Sequence, residues 1–198
     1  MIKRIIFATG NPGKVKEIEE ILRDLGLQVL TMEEAGFDPE IEENGESLRE
    51  NALIKVRAIG PQEDAVVMSD DSGLFINALG GGPGIHSARF MGAGAPYPVK
   101  WAAVLNQMKG LEGAARAAHF ACNVAMLFPD GREFVTEGIL EGVIAKEPRG
   151  TGGFGYDPIF YLPERGLTNA ELPPGEKNRI SHRFKALSAA KEILKAEL

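Results

Sequence analysis

The feature that most constrains this chain is the alternation in residues 3–31. Residues 3–8, with the apolar Ile5, Ile6 and Phe7 among them, read as a strand. Val15, Ile18, Ile21, Leu22 and Leu25 then recur at helical spacing over residues 14–25. Gly26 is placed to end that helix, and residues 28–31 read as a second strand. A second helix is predicted to start near Ser47, where Ser47 and Glu50 have the spacing of a capping box and Leu48, Ala52, Val56 and Ile59 form a stripe. Residues 65–69 predict a strand, followed by Asp70-Asp71-Ser72-Gly73 and an apolar stretch over 74–79. Gly80-Gly81-Gly82-Pro83-Gly84 reads as a loop that no regular element tolerates. A helix is expected over 99–108, then strands over 119–128 and 133–144 joined by the turn Pro129-Asp130-Gly131-Arg132. A strand over 159–162 and a last helix from about Arg183 complete the pattern. Strands alternate with helices early and pair as a hairpin later, so the expected class is α/β, a mixed sheet with helices on its faces.

At 198 residues, with no long linker or repeat, the expectation is one domain over 1–198. No apolar run approaches the roughly 18 residues that a membrane span needs, and the N-terminus lacks a signal-peptide pattern. A cytoplasmic enzyme-sized domain is the expectation, with no membrane partner. The one cysteine, Cys122, excludes an internal disulfide and lies in an apolar run, where a buried thiol is expected. A net charge of −6 argues against broad nucleic-acid binding. It leaves room for an anionic small molecule held by local cations, a metal ion or oriented N–H groups.

Several stretches can carry such chemistry. The turn Thr9-Gly10-Asn11-Pro12-Gly13-Lys14 leaves a strand and enters a helix, which aims backbone N–H groups at whatever lies there. Lys14 is awkward at the positive end of a helix dipole, and a bound anion relieves that conflict. A plain corner with a solvated lysine explains the stretch equally well. It is not a Walker A loop, which needs four residues between its glycines and a Ser or Thr after the lysine. In "MSDDSGL", two adjacent carboxylates follow a buried strand. They repel each other if enclosed, and an oxygen-only pair suits Mg²⁺ with waters retained; a strand-ending turn is the plainer alternative. Asn51 and Lys55 fall on one edge of the second helix's buried stripe, where a lysine can also snorkel outward. Glu43 adds an acid just before that helix. In "RGTGGFGYDP", an aromatic among glycines can stack on a nucleobase, or Phe154 can fill the core. Lys177, His182 and Arg183 offer donors for carbonyl or phosphate oxygens, or form an ordinary solvated basic segment. His86 and His119 show no ligand spacing and read as structural.

Read in order, "TGNPGK", "ENALIK", "DDSGL", "LGGGPGIHSARF", "GTGGFGYDPIF" and "ISHR" resemble the inosine triphosphate pyrophosphatase family across nearly the whole chain. A related pyrophosphatase group resembles it less, since its opening carries Ser and Arg. The resemblance implies an elongated α/β fold with a central mixed sheet, two lobes with a cleft between them, and a homodimer. It implies Mg²⁺-dependent hydrolysis of ITP, dITP and XTP to the monophosphate and pyrophosphate. By the same resemblance, Thr9, Gly10, Asn11, Pro12, Gly13 and Lys14 cradle phosphates. Asp71 holds the metal and acts as base, and Ser72 touches substrate. Asp70, Glu43 and Lys55 complete the metal and phosphate environment. Phe154, Gly155, Tyr156 and Asp157, with Lys177, His182 and Arg183, hold the base and sugar. Two residues depart from the family pattern: Phe184 replaces a small residue after His182-Arg183, and Trp101 replaces a polar one. A non-catalytic nucleotide sensor is the alternative, and a Rossmann-type enzyme is disfavoured because Gly-x-Gly-x-x-Gly is missing after the first strand.

Overall fold

The computed structural model describes residues 2–9 and 12–198. Its sheet has the strand order β2-β1-β3-β5-β6-β7-β8, from Gln28–Thr31 (β2), Arg4–Phe7 (β1), Ala65–Ile76 (β3), Ala117–Leu127 (β5), Glu133–Ile144 (β6), Phe160–Leu162 (β7) and Leu167–Thr168 (β8). The two-residue strand β4 (Pro83–Gly84) pairs with β3. β1 runs parallel to β2 and to β3, whereas β7 is antiparallel to β6 and β8. The sheet is therefore mixed, as the alternation followed by a hairpin predicts. The helices are α1 (Pro12–Leu22), α2 (Leu48–Ile59), α3 (Tyr97–Gln107), α4 (Pro174–Ile180) and α5 (His182–Glu197). Among the described residues, no helix is long and apolar enough to cross a membrane.

The chain divides into two compact units. The first comprises Met1–Asp71, Cys122–Gly138 and His182–Leu198, and the second Ser72–Ala121 and Ile139–Ser181. In the first unit the strand pleat sorts side chains onto two faces. Ile5, Phe7, Val66, Met68, Cys122, Val124 and Met126 pack with Ile18 and Leu22 of α1 and with Ala186, Leu187, Ala190 and Leu194 of α5. Ile6, Ala65, Val67, Ala125 and Leu127 pack with Ala52, Leu53, Val56 and Ile59 of α2 on the other face. Lys191 Nζ donates to the Ile21 carbonyl at 2.7 Å and ties α5 to α1. The second unit has its own core, in which Leu74 and Ile76 meet Val104 and Met108 beside Tyr156, Ile159 and Phe160.

Two sequence expectations need correction, and one helix carries no sequence signal. β3 does not end at Ser69 but runs through Asp70-Asp71-Ser72-Gly73 to Ile76. Strand propensity is a weak prior against fixed tertiary partners, and here the Ser69 hydroxyl bonds the Ala52 carbonyl at 2.6 Å while both aspartates find partners described below. The glycine-rich loop is not wholly irregular, because Pro83 and Gly84 pair with Phe75 and Leu74. The helix α4, entered through Pro174 and Gly175, has no apolar stripe and was not foreseen.

Candidate active site

The β3 pleat decides what the paired carboxylates do. Successive residues face opposite sides of a strand, so Asp70 points with Val66 and Met68 toward α1 and α5, and Asp71 points with Val67 toward α2. They are not a crowded pair sharing one site, which corrects the reading of mutual repulsion. Asp70 is buried and receives Lys14 Nζ from the start of α1 on Oδ1 at 2.8 Å and Arg183 Nε from the start of α5 on Oδ2 at 3.1 Å. The Cys122 thiol lies 3.9 Å from the same Oδ2. Burial alone would raise the Asp70 pKa, but Lys14 and Arg183 outweigh it and hold the carboxyl well below the usual carboxylate range. Burial, and then Asp70, push the Cys122 thiol up, so it is the inert buried thiol expected.

On the other face, the Ser47 cap sets up Asp71. Ser47 Oγ accepts from Glu50 N at 3.1 Å and starts α2, while the Glu50 carboxylate accepts from Glu46 N rather than closing a reciprocal box. Asn51 Oδ1 accepts from Gly45 N at 2.9 Å, which turns its amide nitrogen onto Asp71 Oδ2 at 3.1 Å. One turn on, Lys55 Nζ reaches Glu43 Oε1 at 2.8 Å, the Asp70 carbonyl at 3.1 Å and Asp71 Oδ1 at 3.4 Å. Lys55 is thus 8% exposed and does not snorkel outward. Burial opposes its charge, yet Asp71 and Glu43 hold its pKa above the ordinary lysine value. Burial raises the Asp71 pKa, and Glu43 adds to that against the opposing Lys55 and Asn51, leaving a carboxyl above its ordinary value. A carboxylate shifted toward neutrality is what a general base needs.

In the second unit, Asp157 organises the glycine-rich loop. It is 4% exposed; its Oδ1 accepts from Asn169 Nδ2 at 2.7 Å, and its Oδ2 takes Phe154 N at 2.8 Å and Lys177 Nζ at 2.7 Å. Gly153 adopts φ +71°, and a Cβ there would strike the Asp157 carboxylate. Phe154 is 55% exposed with Lys177 Nζ 4.5 Å from its ring centroid, so it is not the core residue of the plainer reading. Tyr156 is buried, with its hydroxyl on the Ser87 carbonyl at 2.9 Å. His119 stacks on Phe75 and His86 accepts from Arg89, in keeping with structural roles.

The first unit therefore brings Lys14 and Arg183 to Asp70 on one face of β3 and Lys55, Glu43 and Asn51 to Asp71 on the other, and the second brings together Phe154, Gly155, Tyr156, Asp157 and Lys177. Thr9 lies just past β1, its N–H on the Phe7 carbonyl, and Pro12 and Gly13 open α1. Gly10 and Asn11 lie outside the described residues. Ser72 is half-buried on β3, and His182 is buried at the start of α5. Arg183 places its Nε on Asp70 Oδ2. Both Asp70 carboxylate oxygens accept from cationic side chains, Lys14 and Arg183. Asp71 and Glu43 both lie within reach of the Lys55 ammonium, and among the described residues no group of three or more His, Cys, Asp or Glu side chains is placed to hold a metal ion. Mg²⁺ asks for one or two carboxylates and otherwise takes water and substrate phosphates. Asn51 was legible as the helical neighbour of Lys55; Asn169 and Tyr97 carried no signal of their own.

A Ham1 family profile matches residues 5–193. The chain belongs to the Ham1 family. The resemblance read from the ordered motifs is thereby borne out. Within the family, a dITP/XTP pyrophosphatase of Bacillus subtilis (strain 168) is 45% identical over 196 residues, covering 99% of each chain. Among solved structures, a HAM1 protein from Coxiella burnetii matches with a TM-score of 0.90 at 40% identity, covering 99% of this chain and 100% of that one. A nucleoside-triphosphatase / dITP/XTP pyrophosphatase from Mycobacterium abscessus matches with a TM-score of 0.77 at 37% identity, covering 94% and 98%. The mixed sheet with flanking helices is the Ham1 fold.

Proposed function

We propose that this Ham1 family chain is a nucleotide hydrolase that converts dITP, XTP and ITP to the monophosphate and pyrophosphate, and so clears non-standard purine nucleotides. The same reading makes it a cytoplasmic, Mg²⁺-dependent homodimer whose 198 residues work as one domain. The observation that carries it is Asp71, a buried carboxylate of raised pKa held by Lys55 and Asn51 in a chain 45% identical over its length to a dITP/XTP pyrophosphatase.

In this reading Asp71 takes a proton from water as the water oxygen bonds to the α-phosphorus. The bond from that phosphorus to the bridging oxygen breaks, and its electron pair leaves with pyrophosphate. Lys14 and Lys55 offset the charge that gathers on the leaving group. Asp70 holds Lys14 and Arg183 in place and completes the metal and phosphate environment. Thr9, Gly10, Asn11, Pro12 and Gly13 form the turn that cradles the triphosphate, and Ser72 contacts it. Mg²⁺ on Asp71 and Glu43 would neutralise phosphate charge and ease ionisation of water. Phe154 offers its exposed ring to the purine, and Gly155, Tyr156 and Asp157 fix that ring, while Lys177, His182 and Arg183 supply donors to base and sugar. Donors aimed at a 6-oxo group are left unpaired by adenine, which costs more than a lost contact.

A nucleotide panel with Mg²⁺ tests this. The expected products from dITP are dIMP and pyrophosphate; dIDP and inorganic phosphate as first products would overturn it.

A further inference from the structure

Phe154 sits between Gly153 at φ +71° and Gly155 at φ +65°. A residue flanked by two glycines has little backbone stiffness of its own, so outside restraints decide where its ring stands. On the N-terminal side that restraint is the Phe154 N–H on Asp157 Oδ2 at 2.8 Å. On the C-terminal side it comes from α3: Trp101 Nε1 donates to the Gly155 carbonyl at 2.8 Å. Tyr97, one turn earlier on the same helix face, packs its ring edge-on against Tyr156 at 5.4 Å. The pair Tyr97 and Trp101 thus grips Gly155-Tyr156, and the Phe154 side chain is left as the exposed part of the segment.

We propose that Trp101 is a positioning residue for base recognition, acting through the Gly155 carbonyl to set the Phe154 ring. This rests on the reading that Phe154 meets the purine. Its physical content is narrow: the indole N–H fixes one peptide plane beside a glycine, where rotation is otherwise cheap. The effect therefore belongs to binding of the base and not to the phosphate chemistry.

The test compares wild type with Trp101→Phe, which keeps an aromatic ring and removes the donor, and with Trp101→Gln, whose amide restores one. For dITP, Trp101→Phe is expected to raise KM about fivefold, the worth of one neutral hydrogen bond, with kcat unchanged. Inhibition by inorganic tripolyphosphate, which has no base, is expected to keep its wild-type constant, and Trp101→Gln is expected to recover most of the KM. An unchanged KM in Trp101→Phe overturns the proposal. So does a tripolyphosphate constant that weakens in step with KM, because that marks a general structural role. Failure of the wild-type enzyme to form dIMP and pyrophosphate is a separate result; it removes the functional reading itself, and this proposal with it.

Discussion

Replacing Asp70 with Asn isolates the buried ion cluster on the α1–α5 face. The carboxylate is 1% exposed and Arg183 is 3% exposed, whereas Lys14 keeps 19% of its side-chain surface. Lys14 can turn to water when its partner is lost, but Arg183 cannot. The cost is therefore that of breaking a buried ion pair by removing one partner, about 3–5 kcal/mol. At about 2–4 °C per kcal/mol for a chain of this size, the melting temperature should fall by roughly 10 °C. The pH dependence has a definite sign. The Asp70 pKa is depressed on folding, so the stability it contributes is fully present above the unfolded carboxylate value of about 3.9 and is lost as pH falls toward the folded value. Urea melts of both proteins should show a constant gap from pH 5 to 8 that closes only in stronger acid. A variant within 1 kcal/mol of wild type at pH 7, or a gap that closes above pH 5, would refute the reasoning.

Other consequences can be checked separately. Asp71→Asn should cut kcat by about 10²–10⁴, the usual share of a general base, while calorimetry still detects dITP binding; wild-type turnover would remove Asp71 from the mechanism. Gly138→Ala places a Cβ against the His182 carbonyl and 2.5 Å from Ala186 N. It should push β6 from α5 at a cost of about 1–3 kcal/mol, and an unshifted urea midpoint would contradict that contact. Ser87 Oγ accepts from Leu74 N at 2.8 Å and donates to the Gly84 carbonyl. Ser87→Ala leaves a buried N–H unpaired and should cost about 1–3 kcal/mol, read as a lower midpoint in the same melts.

The elements that were legible in the sequence are those whose burial pattern has a period. The stripe Leu48, Ala52, Val56, Ile59 gave α2 and put Lys55 on its edge, and the apolar runs gave β1, β2, β5 and β6. Asp70 and Asp71 were legible as chemistry but misplaced as geometry. Two adjacent acids look like a pair in a string of letters, and only a continuous strand sends them to opposite faces. The role of Asp70 as a counter-ion depends on Arg183, more than a hundred residues away, and no local pattern encodes that contact. Trp101 was visible as a departure from the family pattern, but its partner is a glycine carbonyl, a group that every residue carries and no sequence marks. Phe154 could be read as core or surface from its composition alone; its exposure follows from Asp157, which pins the backbone on one side while Lys177 covers one face of the ring.

Water attack on the α-phosphorus is the central chemical claim, and hydrolysis of dITP in ¹⁸O-water tests it directly. Mass analysis of the products should find the label in dIMP, with pyrophosphate unlabelled. Label in pyrophosphate would place the attack on the β-phosphorus and contradict the account.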